Sequence, residues 1–221
     1  MTDSNDATPG QAAYSKRLLR VYDLWVLGIS NQWIWKCPSA KLLAFYNRHI
    51  SNNHLDVGVG TGYFLDRCEF PEPPPRVALM DLNANSLDSA AGRIARYHPE
   101  TYQANVLEQI KLETEPFDSI GINYLLHCLP GSITEKTLCL DHLSVCLKPG
   151  GIIFGSTLLS GGVQRGEAAR RLMAFYNQKG IFGNTQDDLE GLTAALEKRF
   201  VDVQVEVIGC VALFSGEKLK R

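Results

Sequence analysis

The stretch His54-Leu-Asp-Val-Gly-Val-Gly-Thr-Gly-Tyr63 decides the fold of this chain. A short β-type run leads directly into glycines at three alternate positions, Gly58, Gly60 and Gly62, and Asp56 lies two residues before the first of them. Glycines at this spacing let a strand turn sharply into a helix and let a ligand approach bare backbone. The dinucleotide fingerprint Gly-x-Gly-x-x-Gly requires a small residue where this chain has Tyr63, so that fingerprint fails.

The composition sets broad limits on the class of protein. A length of 221 residues, with 45% hydrophobic and 21% charged residues, is typical of one globular α/β domain. The sequence contains no apolar run near the roughly 18 residues of a membrane span, and its first residues do not form a signal-peptide pattern. We therefore expect a cytoplasmic protein that does not enter a membrane. The net charge of −2 argues against a nucleic-acid-binding surface.

Strand and helix patterns alternate from residue 54 onward, which predicts a parallel sheet with helices on both faces. The expected strands cover residues 54–59, 76–81, 101–106, 117–123 and 152–158. Ser132-Ile-Thr-Glu135 has the form of a capping box for a helix to about residue 146, which Lys148-Pro-Gly-Gly151 should end. The two last strand patterns are separated only by Gly209, so they must form an antiparallel hairpin at the edge of the sheet.

Four segments together resemble the class I S-adenosylmethionine-dependent methyltransferases. They are the Asp-x-Gly-x-Gly-x-Gly run at 56–62, Asp81-Leu-Asn83 after the second strand, Asn123-Tyr-Leu-Leu-His127 after the fourth, and Lys148-Pro-Gly-Gly151 before the fifth. The resemblance covers residues 54–158 and implies S-adenosyl-L-methionine as the cofactor. It also implies a seven-stranded, mostly parallel, doubly wound α/β sheet with a C-terminal antiparallel hairpin.

The resemblance further implies a single domain over residues 1–221. Residues 1–50 would form an N-terminal tail and a helical lid, with aromatic helices at 13–36 and from Pro38 to about residue 49. Residues 51–221 would form the Rossmann-like core. The insert at 159–184, together with the N-terminal aromatic residues, would roof the pocket.

Each cofactor role that the resemblance implies has a structural alternative. Asp56 would lie near the ammonium group of the cofactor, or would satisfy N–H groups of the loop. Asp81 would bind the ribose hydroxyls, or would cap the next helix. Asn105-Val106 would hold the adenine, or would form an ordinary turn, and Tyr63 would lie near the cofactor carboxylate or pack into the first helix. The expected cofactor residues are Asp56, Gly58, Gly60, Thr61, Gly62, Tyr63, Asp81, Leu82, Asn83, Asn105, Val106, Asn123 and Tyr124.

His127 is the candidate catalytic residue. Tyr-Leu-Leu-His127-Cys-Leu-Pro is similar to a segment of small-molecule carboxyl methyltransferases, in which the equivalent residue orients the substrate carboxylate. A carboxylic acid with a pKa of about 4 is already ionised at neutral pH and needs only hydrogen-bond donors, whereas a phenol with a pKa of about 10 needs a base. The structural alternative is a satisfied histidine at the start of a helix. The expected acceptor-binding residues are Tyr14, Trp25, Trp35, His127, Arg165 and Tyr176.

We expect no metal ion. Metal-dependent catechol methyltransferases carry carboxylates at the ends of strands four and five, where this chain has Asn123 and Ser156-Thr157. The six cysteines show no metal-binding spacing and are interpreted as reduced thiols. The expected partner is a small-molecule acceptor, and a homodimer is compatible with the sequence.

Three functional hypotheses remain at this point. The first is a carboxyl O-methyltransferase, similar to small enzymes of microbial and fungal secondary metabolism. The second is a phenol, amine or carbon methyltransferase of the same fold. The third is a non-catalytic cofactor-binding or scaffolding protein, against which the intact Asp56, glycine triad and Asp81 weigh, because a pure scaffold has no physical need for bare backbone at three alternate positions. Fold alone cannot separate the first two hypotheses, because enzymes of one fold methylate many different acceptors.

Overall fold

The computed structural model describes residues 23–220, with side chains from residue 29 onward. The described strands are β1 (Asn53–Val57), β2 (Arg76–Asp81), β3 (Glu100–Gln103), β4 (Phe117–Asn123), β5 (Leu147–Leu158), β6 (Val201–Ile208) and β7 (Val211–Glu217). The described α-helices are α1 (Ser39–His49), α2 (Tyr63–Arg67), α3 (Ala84–Arg93), α4 (Ile133–Lys136), α5 (Leu138–Ser144), α6 (Glu167–Gln178) and α7 (Leu189–Glu197). A π-helix precedes them at Asp23–Ile34.

The described strands form one seven-stranded sheet in the order β3-β2-β1-β4-β5-β7-β6. Strands β1 to β5 are parallel to one another, and β7 runs antiparallel to both β5 and β6. The seven-stranded, mostly parallel sheet with a C-terminal hairpin is therefore confirmed. The strand order reverses between β1 and β4, and ligands of doubly wound sheets bind beyond the carboxyl ends of the strands at such a point.

Several element boundaries differ from those expected. The capping box is confirmed, since Ser132 and Glu135 exchange both hydrogen bonds. The helix that it starts does not continue to residue 146 but breaks between α4 and α5 at Thr137. The hydroxyl of Thr137 donates to the carbonyl groups of Ile133 and Thr134, and such local bonds compete with regular helix.

The segment Lys148-Pro-Gly-Gly151 does not precede the fifth strand but lies within it. Phe117 pairs with Leu147 and Ser119 pairs with Ile152, so the four residues 148–151 form a bulge between the two pairs. Two other strands are shorter than expected, because β1 ends at Val57 and β3 ends at Gln103. Asn105 and Val106 consequently belong to the loop after β3.

The N-terminal region packs against the sheet where it is described. The part of the expected first helix before residue 23, and the tail, lie outside the described residues, while residues 23–34 form the π-helix. The second expected helix is confirmed as α1, which buries Leu42, Phe45 and Tyr46. The ring of Tyr46 lies 5.2 Å from that of Phe154 in β5. Within residues 23–220, the structure contains no helix with the length and apolar character needed to cross a bilayer.

A buried ion pair fastens the segment between α6 and α7 to the rest of the fold. Lys136 is fully buried, and its Nζ donates to Oδ2 of Asp187 at 2.9 Å and to the carbonyl of Gly183 at 2.8 Å. The backbone carbonyl of Asp187 accepts the N–H groups of Ser160 and Gly161, which follow β5. Lys136 therefore connects α4 to the insert, and the insert is connected in turn to the end of β5.

Replacing Lys136 by Met should lower the free energy of unfolding by about 3–5 kcal/mol, because it leaves the carboxylate of Asp187 buried without its cation. The matched control is Lys148→Met. Lys148 pairs with Asp118 at 2.7 Å, but both side chains are about half exposed, so its loss should cost at most about 1 kcal/mol. Urea unfolding of both variants measures the difference. Equal losses in the two variants would contradict the structural role given to Lys136.

Candidate active site

A cavity lies beyond the carboxyl ends of β1, β2, β3 and β4, at the point where the strand order reverses. It encloses about 1080 Å³ with its open mouth included, which is ample for a nucleoside-sized ligand. The expected cofactor residues line it with one exception, Gly62. Four separate segments of the chain therefore converge on one space, as the parallel arrangement requires.

The glycines of the loop after β1 have different tasks. A Cβ atom on Gly60 would meet no atom within 4 Å, so the backbone there faces open space in the cavity. A Cβ atom on Gly62 would lie 3.1 Å from the backbone of Ala90, so that glycine allows α3 to pack closely. Both residues have positive φ, which favours glycine. The expectation of bare backbone facing a ligand applies to Gly60, whereas Gly62 serves packing.

Asp56 presents a buried carboxylate to the cavity. The residue is 6% exposed, and its Oδ1 accepts a hydrogen bond from the hydroxyl of Tyr46 at 3.1 Å. Within residues 29–220 it forms no ion pair with a lysine or an arginine. A buried carboxylate normally requires a charged partner or several donors. The site therefore has room and charge for a small cation.

Asp81 ends β2 and does not itself cap the next helix, while its role at the ribose stays a prediction. Its Oδ1 accepts the N–H group of Asn83 at 2.8 Å, while Asn83 itself caps α3. Burial raises the pKa of Asp81 to about 6, although hydrogen bonds from the backbone of Asn83, Gly60 and Val59 oppose the rise. The carboxylate thus holds the glycine loop and also lines the cavity.

The loop after β3 and the first residue of α2 complete this side of the cavity. Asn105 forms a turn, since its Oδ1 accepts the N–H of Leu107 and its Nδ2 donates to Glu108. Val106 is 6% exposed and offers an apolar surface. Tyr63 lines the cavity, and its ring also stacks under the guanidinium of Arg67 at 4.6 Å. The stacking on Arg67 agrees with packing against the first helix, while a place near the cofactor carboxylate stays a prediction.

The end of β4 carries an amide that is held in one orientation. The hydroxyl of the fully buried Ser156 donates to Oδ1 of Asn123 at 3.0 Å. Nδ2 of Asn123 has no hydrogen-bond partner in the described part of the chain. A buried amide without an acceptor costs roughly 1–3 kcal/mol, so this nitrogen is ready to donate to a bound group.

Tyr124, the next residue, has a strained backbone. Its φ is +55°, which is rare for a bulky side chain. Its N–H donates to the carbonyl of Ser156, and its hydroxyl donates to Oδ1 of Asn31 at 2.8 Å. Asn31 belongs to the π-helix, so the N-terminal region holds the turn after β4. No sequence pattern predicts this strain, because tyrosine is not a residue that favours positive φ.

His127 is buried beside this turn rather than exposed in the cavity. It is 3% exposed and lies in a short 3₁₀ turn, Leu126–Cys128. Its Nδ1 accepts the backbone N–H of Leu158 at 3.3 Å, so Nε2 carries the proton of the neutral ring. Within residues 29–220, Nε2 has no hydrogen-bond partner. Burial, and secondarily the charge of Lys136, lowers the pKa of His127 to about 3.

Three of the expected acceptor residues meet around Phe182, which the sequence analysis did not select. The Phe182 ring lies 4.6 Å from His127, 4.9 Å from Tyr176 and 6.3 Å from Trp35. The Tyr124 ring, 5.5 Å from His127, connects this aromatic cluster to the cavity. Phe182 lies in the segment Gly180-Ile-Phe-Gly183. A single aromatic residue between two glycines is the sequence signal that could have identified it.

Arg165 is the one other expected acceptor residue with a described side chain, and it is not brought to this cluster. Arg165 contacts Sδ of Met173 at 3.6 Å and lines a separate cavity between α6 and residues 185–188. Tyr14 lies outside the described residues, and the side chain of Trp25, on the π-helix, is also outside them. The sequence analysis missed the apolar wall formed by Leu125, Cys128 and Leu129, because apolar residues after a strand resemble ordinary core.

Metal ligation has no support in the described part of the chain. Over residues 23–220, no group of three or more histidine, cysteine or acidic side chains is arranged to bind an ion. The carboxyl ends of β4 and β5 carry Asn123 and Ser156, whose side chains bind each other.

Known proteins resemble this chain along most of its length. Residues 55–153 match the family described as "Methyltransferase domain". The chain is 42% identical to the demethylluteothin O-methyltransferase of Streptomyces thioluteus, over 93% of this chain and 89% of that protein. It is 37% identical to the physcion biosynthesis cluster O-methyltransferase of Aspergillus chevalieri, over 96% of each. The solved structure of N-methyltransferase NodS from Bradyrhizobium japonicum WM9 with S-adenosyl-L-homocysteine shares the fold, with a TM-score of 0.62, 18% identity and coverage of 98% and 99%.

The low pKa of His127 predicts a specific acid sensitivity. The unfolded chain binds a proton on this residue below about pH 6.5, whereas the folded chain does so only near pH 3, so the contribution to stability is complete above pH 6.5 and is lost as the pH falls. Between pH 7 and pH 5, wild type should lose about 2 kcal/mol more unfolding free energy than His127→Gln. Urea unfolding at both pH values measures this difference. Parallel losses would show that His127 is protonated in the folded protein.

Proposed function

The chain belongs to the S-adenosylmethionine-dependent methyltransferases, and from this premise we propose that it methylates an oxygen of a small-molecule carboxylic acid to give a methyl ester. S-adenosylmethionine, its cofactor, supplies the methyl group from a sulfonium that already contains the leaving group. The protein therefore has to bind, orient and desolvate the reactants, and it needs little covalent chemistry of its own.

The residues of the cavity fit this cofactor in charge and shape. We assign the carboxylate of Asp56, which has one donor and no lysine or arginine partner in the described chain, to the ammonium group. Asp81 has a carboxylate that can accept from ribose hydroxyls, and Val106 has an apolar surface suited to adenine. The open backbone at Gly60 suits a group that must approach closely.

Oxygen is the favoured acceptor atom. Two relatives that share most of their length with this chain are both named O-methyltransferases. One of them is named for a biosynthesis cluster, which supports a role in secondary metabolism. Family membership disfavours the third hypothesis, a non-catalytic scaffold.

A carboxylic acid is favoured over a phenol by the pKa of His127, which is the single observation that carries this proposal. With a pKa of about 3, the ring is neutral at physiological pH and is a weak base. The described residues that line the cavity include no histidine, lysine or arginine, and burial raises the pKa of the Cys128 thiol to about 12. An acceptor with a pKa of about 4 arrives as its anion and needs no base.

We propose that two neutral donors orient such an anion, the amide of Asn123, which lines the cavity, and the imidazole of His127, which lies 5.5 Å from the ring of Tyr124 in the cavity wall. Nε2–H of His127 and the Nδ2 amide of Asn123 both lack acceptors among the described residues. Donors are what a carboxylate oxygen needs, whereas an amine nucleophile needs acceptors. We propose that the aromatic cluster of Trp35, His127, Tyr176 and Phe182 forms one wall of the acceptor site and excludes water.

We further propose that the whole chain is one domain with residues 1–50 as tail and lid. A phenol is the second candidate acceptor, because neither relative's name mentions a carboxyl group. A cytoplasmic location is supported by the cysteines, all of which are free thiols and five of which are buried. Persistently reduced thiols are typical of reducing compartments.

The role of Asp81 can be tested by binding alone. Asp81→Ala should weaken binding of S-adenosylhomocysteine by about 1–3 kcal/mol, as expected for loss of hydrogen bonds to a charged acceptor. Because Asp81 also holds the glycine loop, the same titration should be repeated with an analogue that lacks both ribose hydroxyls. Wild type should prefer the natural ligand and Asp81→Ala should not. A preference that survives the substitution would remove Asp81 from the ribose site.

The pH dependence of two His127 variants separates acids from phenols. For a carboxylate, His127→Gln retains a donor and should retain substantial activity, whereas His127→Ala should raise the KM of the acid. For a phenol that uses His127 as base, both variants should lose about 10²-fold in turnover and recover at high pH, where the phenol ionises unaided. Steady-state rates with panels of acids and phenols from about pH 6 to pH 10 distinguish the two cases. A rate that rises with pH only in the variants would refute the carboxyl proposal.

A further inference from the structure

We propose that Tyr46 is a positioning residue for the cofactor. Its hydroxyl links His54 to Asp56 in a buried chain of hydrogen bonds and thereby holds the carboxylate of Asp56 in place. The inference rests on the proposed role of Asp56 at the ammonium group. It gives a task in the cofactor site to α1, a helix that the sequence analysis assigned to the lid.

The chain of hydrogen bonds is continuous. The hydroxyl of Tyr46 lies 3.1 Å from Oδ1 of Asp56 and 2.9 Å from Nε2 of His54. Nδ1 of His54 lies 2.8 Å from Oγ of Ser119, which also accepts the backbone N–H of Ser51 at 3.0 Å. Four side chains from α1, β1 and β4 are thereby linked, and each is at least nine-tenths buried.

The direction of these hydrogen bonds follows from Asp56, the residue at the end of the series. An ionised carboxylate can only accept, so the single proton of Tyr46 points to Asp56. The oxygen of Tyr46 must then accept from His54, which requires a proton on Nε2. Burial and the charge of Asp56 raise the pKa of Tyr46 well above its ordinary value, so the phenol stays protonated and remains a donor.

These polar residues lie among buried aromatic rings, where apolar side chains would stabilise the fold without the cost of burying polar groups. Tyr46 stacks on Phe64 at 5.5 Å, and the His54 ring stacks on Phe154 at 5.7 Å. Burying a polar network in such a layer costs desolvation free energy, which its hydrogen bonds offset only in part. What the network adds is a fixed orientation for the carboxylate of Asp56, which faces the cavity, and this is the task of a supporting shell.

The neighbouring strand leaves room for this arrangement. Gly121 of β4 pairs with Asp56 of β1. A Cβ atom at Gly121 would lie 3.0 Å from Oδ1 of Asp56 and 3.2 Å from the ring of His54. Any larger residue would therefore press on both members, and the glycine allows the carboxylate to turn toward Tyr46.

Calorimetric titration of the full chain with two ligands tests the proposal. S-adenosylhomocysteine carries the amino-acid ammonium, and methylthioadenosine lacks it. Tyr46→Phe keeps the ring packing and should raise the Kd of S-adenosylhomocysteine about tenfold, while the Kd of methylthioadenosine stays unchanged. The matched control is Tyr102→Phe, which removes a hydroxyl that donates to Glu100 away from the cavity and should change neither Kd.

The other outcomes are equally informative. Equal weakening of both ligands in Tyr46→Phe, or no weakening of either, would overturn the proposal, and so would ¹⁵N NMR that finds Nε2 of His54 unprotonated in wild type. Asp56→Asn should abolish the preference for S-adenosylhomocysteine. If Asp56→Asn leaves that preference intact, the assignment of Asp56 itself fails, whichever acceptor is methylated.

Discussion

Two carboxylates at the carboxyl ends of adjacent strands, the buried Asp56 and the half-buried Asp81, are the constraint on which the rest of the site depends. Asp56 and Asp81 are both oriented to one cavity, and the charge of Asp56 contributes to the raised pKa of Asp81. Like charges held together in a buried place are unfavourable unless a partner neutralises or hydrogen-bonds them. The protein supplies backbone N–H groups to Asp81 and one hydroxyl to Asp56. A cofactor with an ammonium group and ribose hydroxyls supplies what the protein does not, so binding and site stability are coupled.

The acceptor side of the cavity follows the opposite principle. Here the available groups are neutral donors, the amide of Asn123 and the imidazole of His127, and burial keeps the imidazole neutral. A neutral donor in an apolar wall stabilises an anion that is already formed but cannot generate one. Under the proposed function, selection of acidic acceptors would result from this low basicity, and the aromatic cluster around Phe182 would add selection by shape. The lining of the cavity thus combines two acidic residues, Asp56 and Asp81, with the neutral amide of Asn123, and the buried imidazole of His127 lies beside the Tyr124 ring.

Local sequence patterns predicted the sheet, the glycine loop and the strand-end residues, because each depends on neighbours in the chain. Gly60, Asp81 and Asn123 all follow strands that could be recognised by apolar runs, and parallel strands bring such ends together. The features that were missed depend on contacts distant in sequence. Nothing near Tyr124 predicts a positive φ, because Asn31 and Ser156 impose it. Nothing near Tyr46 distinguishes it from an ordinary core residue of an amphipathic helix, since its polar partners are supplied by β1 and β4.

The same long-range contacts explain why the N-terminal region cannot be considered a lid alone. Tyr46 on α1 reaches the carboxylate at one end of the cavity, and Asn31 on the π-helix holds the strained turn at the other. A side chain held in a strained turn keeps its position only while its partner stays in place. The geometry of the cavity both at Asp56 and at Tyr124 therefore depends on correct docking of residues 29–49. Loss of that docking would release the turn after β4 and the orientation of Asp56 together, although neither Tyr46 nor Asn31 belongs to the recognisable motifs of the core.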